Sequence, residues 1–122
     1  MPNSSFAAAR KTMVDCQLRP SKVTDQHVLD AFMTIPREEF VGKQQRALAY
    51  VDEDLPLPGG RCLMEPMVLA RLLQALLLRP DDNLLIVGAG CGYGAAIAAS
   101  LVGSVIAIET RANLVEKAQD VL

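Results

Sequence analysis

The sequence predicts an α/β fold: an N-terminal helical segment followed by a β-α-β-α unit that begins a parallel sheet. Three observations carry this expectation. All seven prolines fall at or before Pro80, so helix breaks concentrate in the earlier part of the chain. Beyond Pro80, two short apolar runs flank a glycine-rich stretch and an Ala-rich stretch. With 51% hydrophobic and 21% charged residues in 122, the chain has the makeup of a packed domain rather than a disordered segment.

The elements follow in order. Residues 5–18 read as a helix that Ser4 or Ser5 can cap and that Arg19-Pro20 ends. A second helix starts near Thr24, with Val28/Phe32 and Leu29/Met33 as i, i+4 apolar pairs, and stops at Pro36. A short helix over 37–45 can follow. Residues 50–60 hold three acids, two prolines and two glycines and read as a loop or edge segment. Glu65 to Leu78 is a helix: Pro66 suits its first turn, and Met67, Val68, Leu72, Leu73, Ala75 and Leu76 form a wide apolar stripe. The turn Arg79-Pro80-Asp81-Asp82 divides the chain into residues 1–80, helical and loop-bearing, and residues 81–122, the start of the sheet. There, Leu84 to Val87 reads as a parallel strand buried on both faces. Ala95 to Val102 reads as a helix, Ser104 to Glu109 as a strand and Arg111 to Leu122 as a helix.

Charge and composition narrow the function. A net charge of −2 argues against a nucleic-acid module and against a polybasic membrane binder. Three scattered cysteines and one histidine give neither a disulfide framework nor a metal site. The N-terminus lacks the apolar core of a signal peptide, which with the free cysteines points to a cytoplasmic protein. Residues 84–108 carry no charge, a run of 25 that could cross a bilayer. Five glycines within it, and no flanking basic or aromatic anchors, favour a strand–loop–helix–strand instead.

The glycine stretch is Gly88-Ala89-Gly90-Cys91-Gly92-Tyr93-Gly94, between a strand and a helix. Such a turn permits positive φ, lets a ligand approach the main chain and directs helix N–H groups at it. The next strand ends in Glu109, 21 residues after Gly88, where a carboxylate can accept hydrogen bonds from ribose hydroxyls. The dinucleotide pattern G-x-G-x-x-G fails at Tyr93 when read from Gly88. Read from Gly90 it runs to Ala95 but starts two residues late, so an NAD-type oxidoreductase ranks low. G-x-G-x-G from Gly88 fits without a shift and resembles motif I of the S-adenosylmethionine-dependent methyltransferases.

Longer blocks narrow this. Gly-Cys-Gly-Tyr-Gly-Ala-Ala at 90–96 and Val-Gly-Ser-Val-Ile-Ala-Ile-Glu at 102–109 resemble the protein-L-isoaspartate O-methyltransferase family. Ile35-Pro36-Arg37-Glu38-Glu39-Phe40-Val41 is similar to its v-P-R-e-x-F-v stretch, and Ala49-Tyr50-x-Asp52 to its A-Y-x-D. Gly60 to Ala70 stands where the family carries G-Q-T-I-S-x-P-x-x-x-A. The resemblance runs from about Met13 onward. It implies a Rossmann-like methyltransferase sheet, S-adenosyl-L-methionine as cofactor, and methyl transfer to isoaspartyl carboxylates of damaged proteins. Cofactor contacts would come from Gly88, Ala89, Gly90, Gly92 and Glu109. The family's sheet continues through further strands, so the chain reads as the N-terminal portion of a longer domain. An unpaired sheet edge would then favour self-association.

Three positions depart from the pattern. Ile86 stands where the resemblance implies an acid. In the substrate loop, Cys62 replaces the family's Thr and Met64 its Ser. Methionine donates no hydrogen bond, and losing one such contact costs about 1–3 kcal/mol. Arg61, Cys62 and Met64 are therefore the substrate-loop candidates, with Arg61 as the substitute charged donor and the catalytic residues unassigned. A homologue that keeps the scaffold as a binding module without chemistry is the alternative. Elsewhere the plain readings lead. His27 and the acids 52–54 are solvated, Cys91 is a small filler without a partner for activation, Tyr93 packs beside the loop, and Arg37 forms a salt bridge at a helix start.

Overall fold

The computed structural model describes residues 2–122, with side chains from Ser5 onward. Helix α1 (Pro2–Met13) begins ahead of the serines expected to cap it and runs on through a π turn, Val14–Leu18. Pro20 closes it within the 3-10 turn Arg19–Ser21. Helix α2 (Gln26–Thr34) is capped by Asp25, whose carboxylate accepts from the N–H groups of His27 and Val28 at 2.9 and 3.4 Å. It ends at Ile35, held extended before Pro36. The expected helix over 37–45 is two 3-10 turns, Arg37–Phe40 and Lys43–Leu48.

The loop 50–60 is partly ordered. Strands β1 (Leu55–Leu57) and β2 (Arg61–Leu63) pair antiparallel, with Leu57 opposite Arg61, around the turn Pro58–Gly60. Helix α3 (Pro66–Ala75) starts at Pro66 as expected but stops before Leu78, because Leu77 adopts a left-handed φ of 53°. Its inner line is Pro66, Ala70 and Leu73, while Leu72 and Leu76 of the expected stripe face solvent. Gln74 ties the helix back to the α2 entrance: its Oε1 accepts from the N–H groups of Thr24 and Asp25 at 2.8 and 2.9 Å.

After the turn 79–82, β3 (Asn83–Val87), α4 (Tyr93–Ala99), β4 (Ser104–Ile108) and α5 (Ala112–Val121) follow in the expected order. Strands β3 and β4 are parallel, with Leu85 beside Ile106 and Val87 beside Ile108. The uncharged run 84–108 is thus three separate elements, and among the described residues no helix is long and apolar enough to cross a membrane.

The strands are not buried on both faces. Leu84, Ile86 and Val105 pack against the core, whereas Leu85, Val87, Ile106 and Ile108 are 49–74% exposed. Strand side chains alternate faces, so the helices cover one face of this two-stranded sheet and leave the other open. The core itself is continuous across the 79–82 turn: Phe32 and Phe40 meet Tyr93 edge-on at 6.1 and 5.5 Å between ring centroids.

Candidate functional site

The β3–α4 turn holds Gly88, Gly90 and Gly92 at φ of 76°, 61° and 91°, the backbone region that side chains resist. The N–H groups of Gly88 and Ala89 both donate to the Ile108 carbonyl, at 2.9 and 3.0 Å. That of Gly92 donates to the Ala89 carbonyl at 3.1 Å, and that of Gly90 to Glu109 at 2.7 Å. Four loop donors are therefore spent inside the protein, ahead of the first helical N–H groups of α4.

Glu109 is the centre of the site. Its side chain is 4% exposed and receives four hydrogen bonds. Oε1 accepts from Arg61 Nη2 at 2.6 Å and from the Gly90 N–H at 2.7 Å. Oε2 accepts from Arg61 Nη1 at 2.7 Å and from the Arg111 N–H at 2.9 Å. The paired arginine first, and the backbone N–H of Arg111 next, hold the carboxyl down to a pKa of about 2. The same pairing raises the Arg61 guanidinium.

Sequence reasoning placed Arg61 with the substrate loop, as a donor toward an incoming carboxylate. The structure instead turns it to Glu109, 48 positions away. Its Nη2 also fills the space over Gly88, 3.4 Å from where a β-carbon would stand. The rest of the β1–β2 hairpin follows it. Leu57 Cδ1 lies 3.4 Å from a β-carbon position on Gly90, and Arg111 Nη2 donates to the Gly59 carbonyl at 3.3 Å. The hairpin thus lies across the glycine turn. Cys62 and Met64, the other loop candidates, are exposed and turned to solvent.

Arg37 is the residue that sequence reasoning misjudged. Rather than a salt bridge at a helix start, it is fully buried. Nε donates to the Ala49 carbonyl at 2.6 Å, Nη2 to the Met64 carbonyl at 3.0 Å, and the guanidinium lies 4.8 Å over the Tyr93 ring. It joins the backbone at Met64 to the first residue of α4. The one signal for this was the Pro-Arg-Glu block itself. Beside it, Tyr50 OH donates to Glu38 Oε1 at 2.5 Å and accepts from Arg10 Nε at 2.8 Å. His27 and the acids 52–54 are exposed, and Cys91 is a buried filler whose thiol is pushed up by burial.

Comparison with known proteins agrees with this architecture. The profile of the protein-L-isoaspartate(D-aspartate) O-methyltransferases matches residues 8–122. A protein-L-isoaspartate O-methyltransferase of Koribacter versatilis is 43% identical over 111 residues, which is 91% of this chain and 50% of that protein. One from Methylorubrum extorquens is 44% identical over 118 residues, 97% of this chain and 52% of that protein. A solved protein-L-isoaspartate O-methyltransferase superposes with a TM-score of 0.79 at 28% identity, over 91% of this chain and 37% of its own. A Plasmodium falciparum structure, in complex with S-adenosyl-L-homocysteine, shares the fold with a TM-score of 0.76 at 21% identity, covering 91% of this chain and 53% of that one. The chain spans about half the length of the curated relatives it matches. With its β-α-β-α unit, glycine turn and terminal acid in the family's order, the chain belongs to the protein-L-isoaspartate(D-aspartate) O-methyltransferase family.

Proposed function

We propose that this chain carries the cofactor turn and substrate loop of an S-adenosylmethionine-dependent methyltransferase that acts on isoaspartyl carboxylates in proteins. One observation supports this above the others: the Glu109 carboxylate points back at the glycine turn, hydrogen-bonded to the Gly90 N–H. Gly88, Ala89, Gly90 and Gly92 form the floor that a nucleoside approaches, and Glu109 is the acceptor for its ribose hydroxyls. When bound, S-adenosylmethionine supplies a methyl group on a sulfonium, electrophilic enough to alkylate a carboxylate.

The acceptor carboxylate is already ionised near pH 7, so the protein needs no general base. What remains is alignment of the carboxylate against the methyl group. Arg37 fixes the loop backbone at Met64, and Pro66 fixes the start of α3 beyond it. The exposed thiols of Cys16 and Cys62 support a reducing, cytoplasmic location.

Titration calorimetry with S-adenosylhomocysteine tests the cofactor assignment. Saturable binding, weakened at least tenfold in Glu109→Ala, is expected; equal binding by the variant refutes it. Methylation of an isoaspartyl peptide tests the substrate separately. Met64 favours a second reading, a binding module without chemistry, because its thioether offers the substrate no donor. Met64→Ser separates the two readings. A several-fold gain in methyl transfer supports the enzyme, and an inert variant that still binds S-adenosylhomocysteine supports the module.

A further inference from the structure

We propose that Arg61 is an internal competitor for the ribose site: it occupies the Glu109 carboxylate, latches the β1–β2 hairpin across the glycine turn, and must be displaced before a nucleoside binds. This rests on the cofactor reading above. An ionised carboxylate has about four acceptor positions. In Glu109 all four are filled, two by backbone N–H groups and two by the fork of Arg61. The backbone donors belong to Gly90, inside the β3–α4 turn, and Arg111, at the start of α5, and cannot leave without refolding the chain there. Arg61 can. Its side chain is 30% exposed, against 4% for Glu109, and a long flexible stem carries it.

The position of the guanidinium points the same way. Nη2 sits over Gly88, on the route by which a ligand would reach the turn. A ribose diol presents two hydroxyl donors at the spacing of one carboxylate, which makes it a replacement for the two Arg61 contacts. Release of Arg61 uncovers Gly88 and loosens the hairpin tip over the turn, while its strands stay anchored through Leu55, Leu57 and Leu63 in the core. Arg61 then stands on the substrate loop with its charge unpaired, and only in the nucleoside-bound state.

Calorimetry of the whole chain and of Arg61→Gln with S-adenosylhomocysteine tests the latch. Gln keeps a polar side chain without the charged fork. Arg61→Gln is expected to bind about tenfold more tightly, and Arg61→Lys, which keeps the charge but not the bidentate geometry, to fall between. Raising salt should tighten binding by the parent chain and leave Arg61→Gln unchanged. A ligand-induced change in the Arg61 guanidinium resonances, from restrained to freely rotating, is the second readout. Equal or weaker binding by Arg61→Gln, or unchanged guanidinium resonances on saturation, overturns the latch and leaves the cofactor assignment standing. Failure of all three chains to bind removes the cofactor assignment and the latch with it.

Discussion

A fully buried guanidinium needs partners for its N–H groups, and Arg37 gives Nε to the Ala49 carbonyl and Nη2 to the Met64 carbonyl, while Nη1 has no hydrogen-bond partner. Burial pushes its pKa down, and Tyr93 acts against that shift. Arg37→Met strands both carbonyls, each worth about 1–3 kcal/mol, so urea unfolding should show a loss of about 2–6 kcal/mol. Arg37→Lys should recover only part, because one ammonium cannot span both acceptors as the fork does. Glu109 gives a pH prediction of definite sign. Its folded pKa, about 2, lies below the ordinary glutamate value of about 4.3, so ionisation stabilises the fold. That contribution is complete above the ordinary value and is lost as pH falls from about 4 toward about 2. Carbon NMR of the carboxyl should titrate near 2, and Arg61→Gln should move the midpoint up; a midpoint in the ordinary range would remove the pairing.

Elements differ in how much of their local backbone the side chains dictate. At Gly92, φ is 91° and a β-carbon would stand 3.0 Å from Ala118 Cβ and 3.1 Å from Leu122 Cδ1, so α5 is packed on the bare glycine. At Gly90 the nearest atom is the movable Leu57 Cδ1, at 3.4 Å. Both alanine variants carry the left-handed penalty of about 1–2 kcal/mol. Thermal unfolding should therefore show Gly92→Ala as the more damaging, and equal losses would contradict the α5 packing. Leu77 is the converse case, an exposed non-glycine at positive φ just past α3. Leu77→Gly should raise stability by about 1 kcal/mol in the same measurement. Order and type of α3, β3, α4, β4 and α5 were legible because proline, glycine and apolar spacing mark them locally. Element ends moved where a side-chain or backbone event set the limit, as at Leu77 for α3 or the Asp25 cap for α2. The β1–β2 hairpin was not legible: three-residue strands holding Pro56 carry no alternation long enough to read.

Over the whole molecule, the turn and its acid could be read from spacing alone, but the identity of the acid's partner could not. Arg61 and Glu109 meet only because the hairpin folds across the sheet end, a contact between segments 48 positions apart. The sheet's open face is the other global feature invisible in the sequence, since an apolar strand reads the same whether one face or two are covered. Leu85, Val87, Ile106 and Ile108 together form an exposed apolar patch beside unpaired strand edges. The chain should therefore self-associate as concentration rises in light scattering, and Leu85→Lys with Ile106→Lys should abolish this. A parent chain that stays monomeric at high concentration would sink that expectation.

The two backbone donors to Glu109 give the chain a gauge of its own. The amide protons of Gly90 and Arg111 both go to that carboxylate, so their protection from solvent exchange should depend on its charge and position. Their exchange rates, followed without any label or ligand, report the ionisation of one buried acid and the integrity of the sheet end at once. Acid that neutralises Glu109 should lower the protection of both together, measured against the intrinsic exchange rate at each pH, while the interior of α2 keeps its protection.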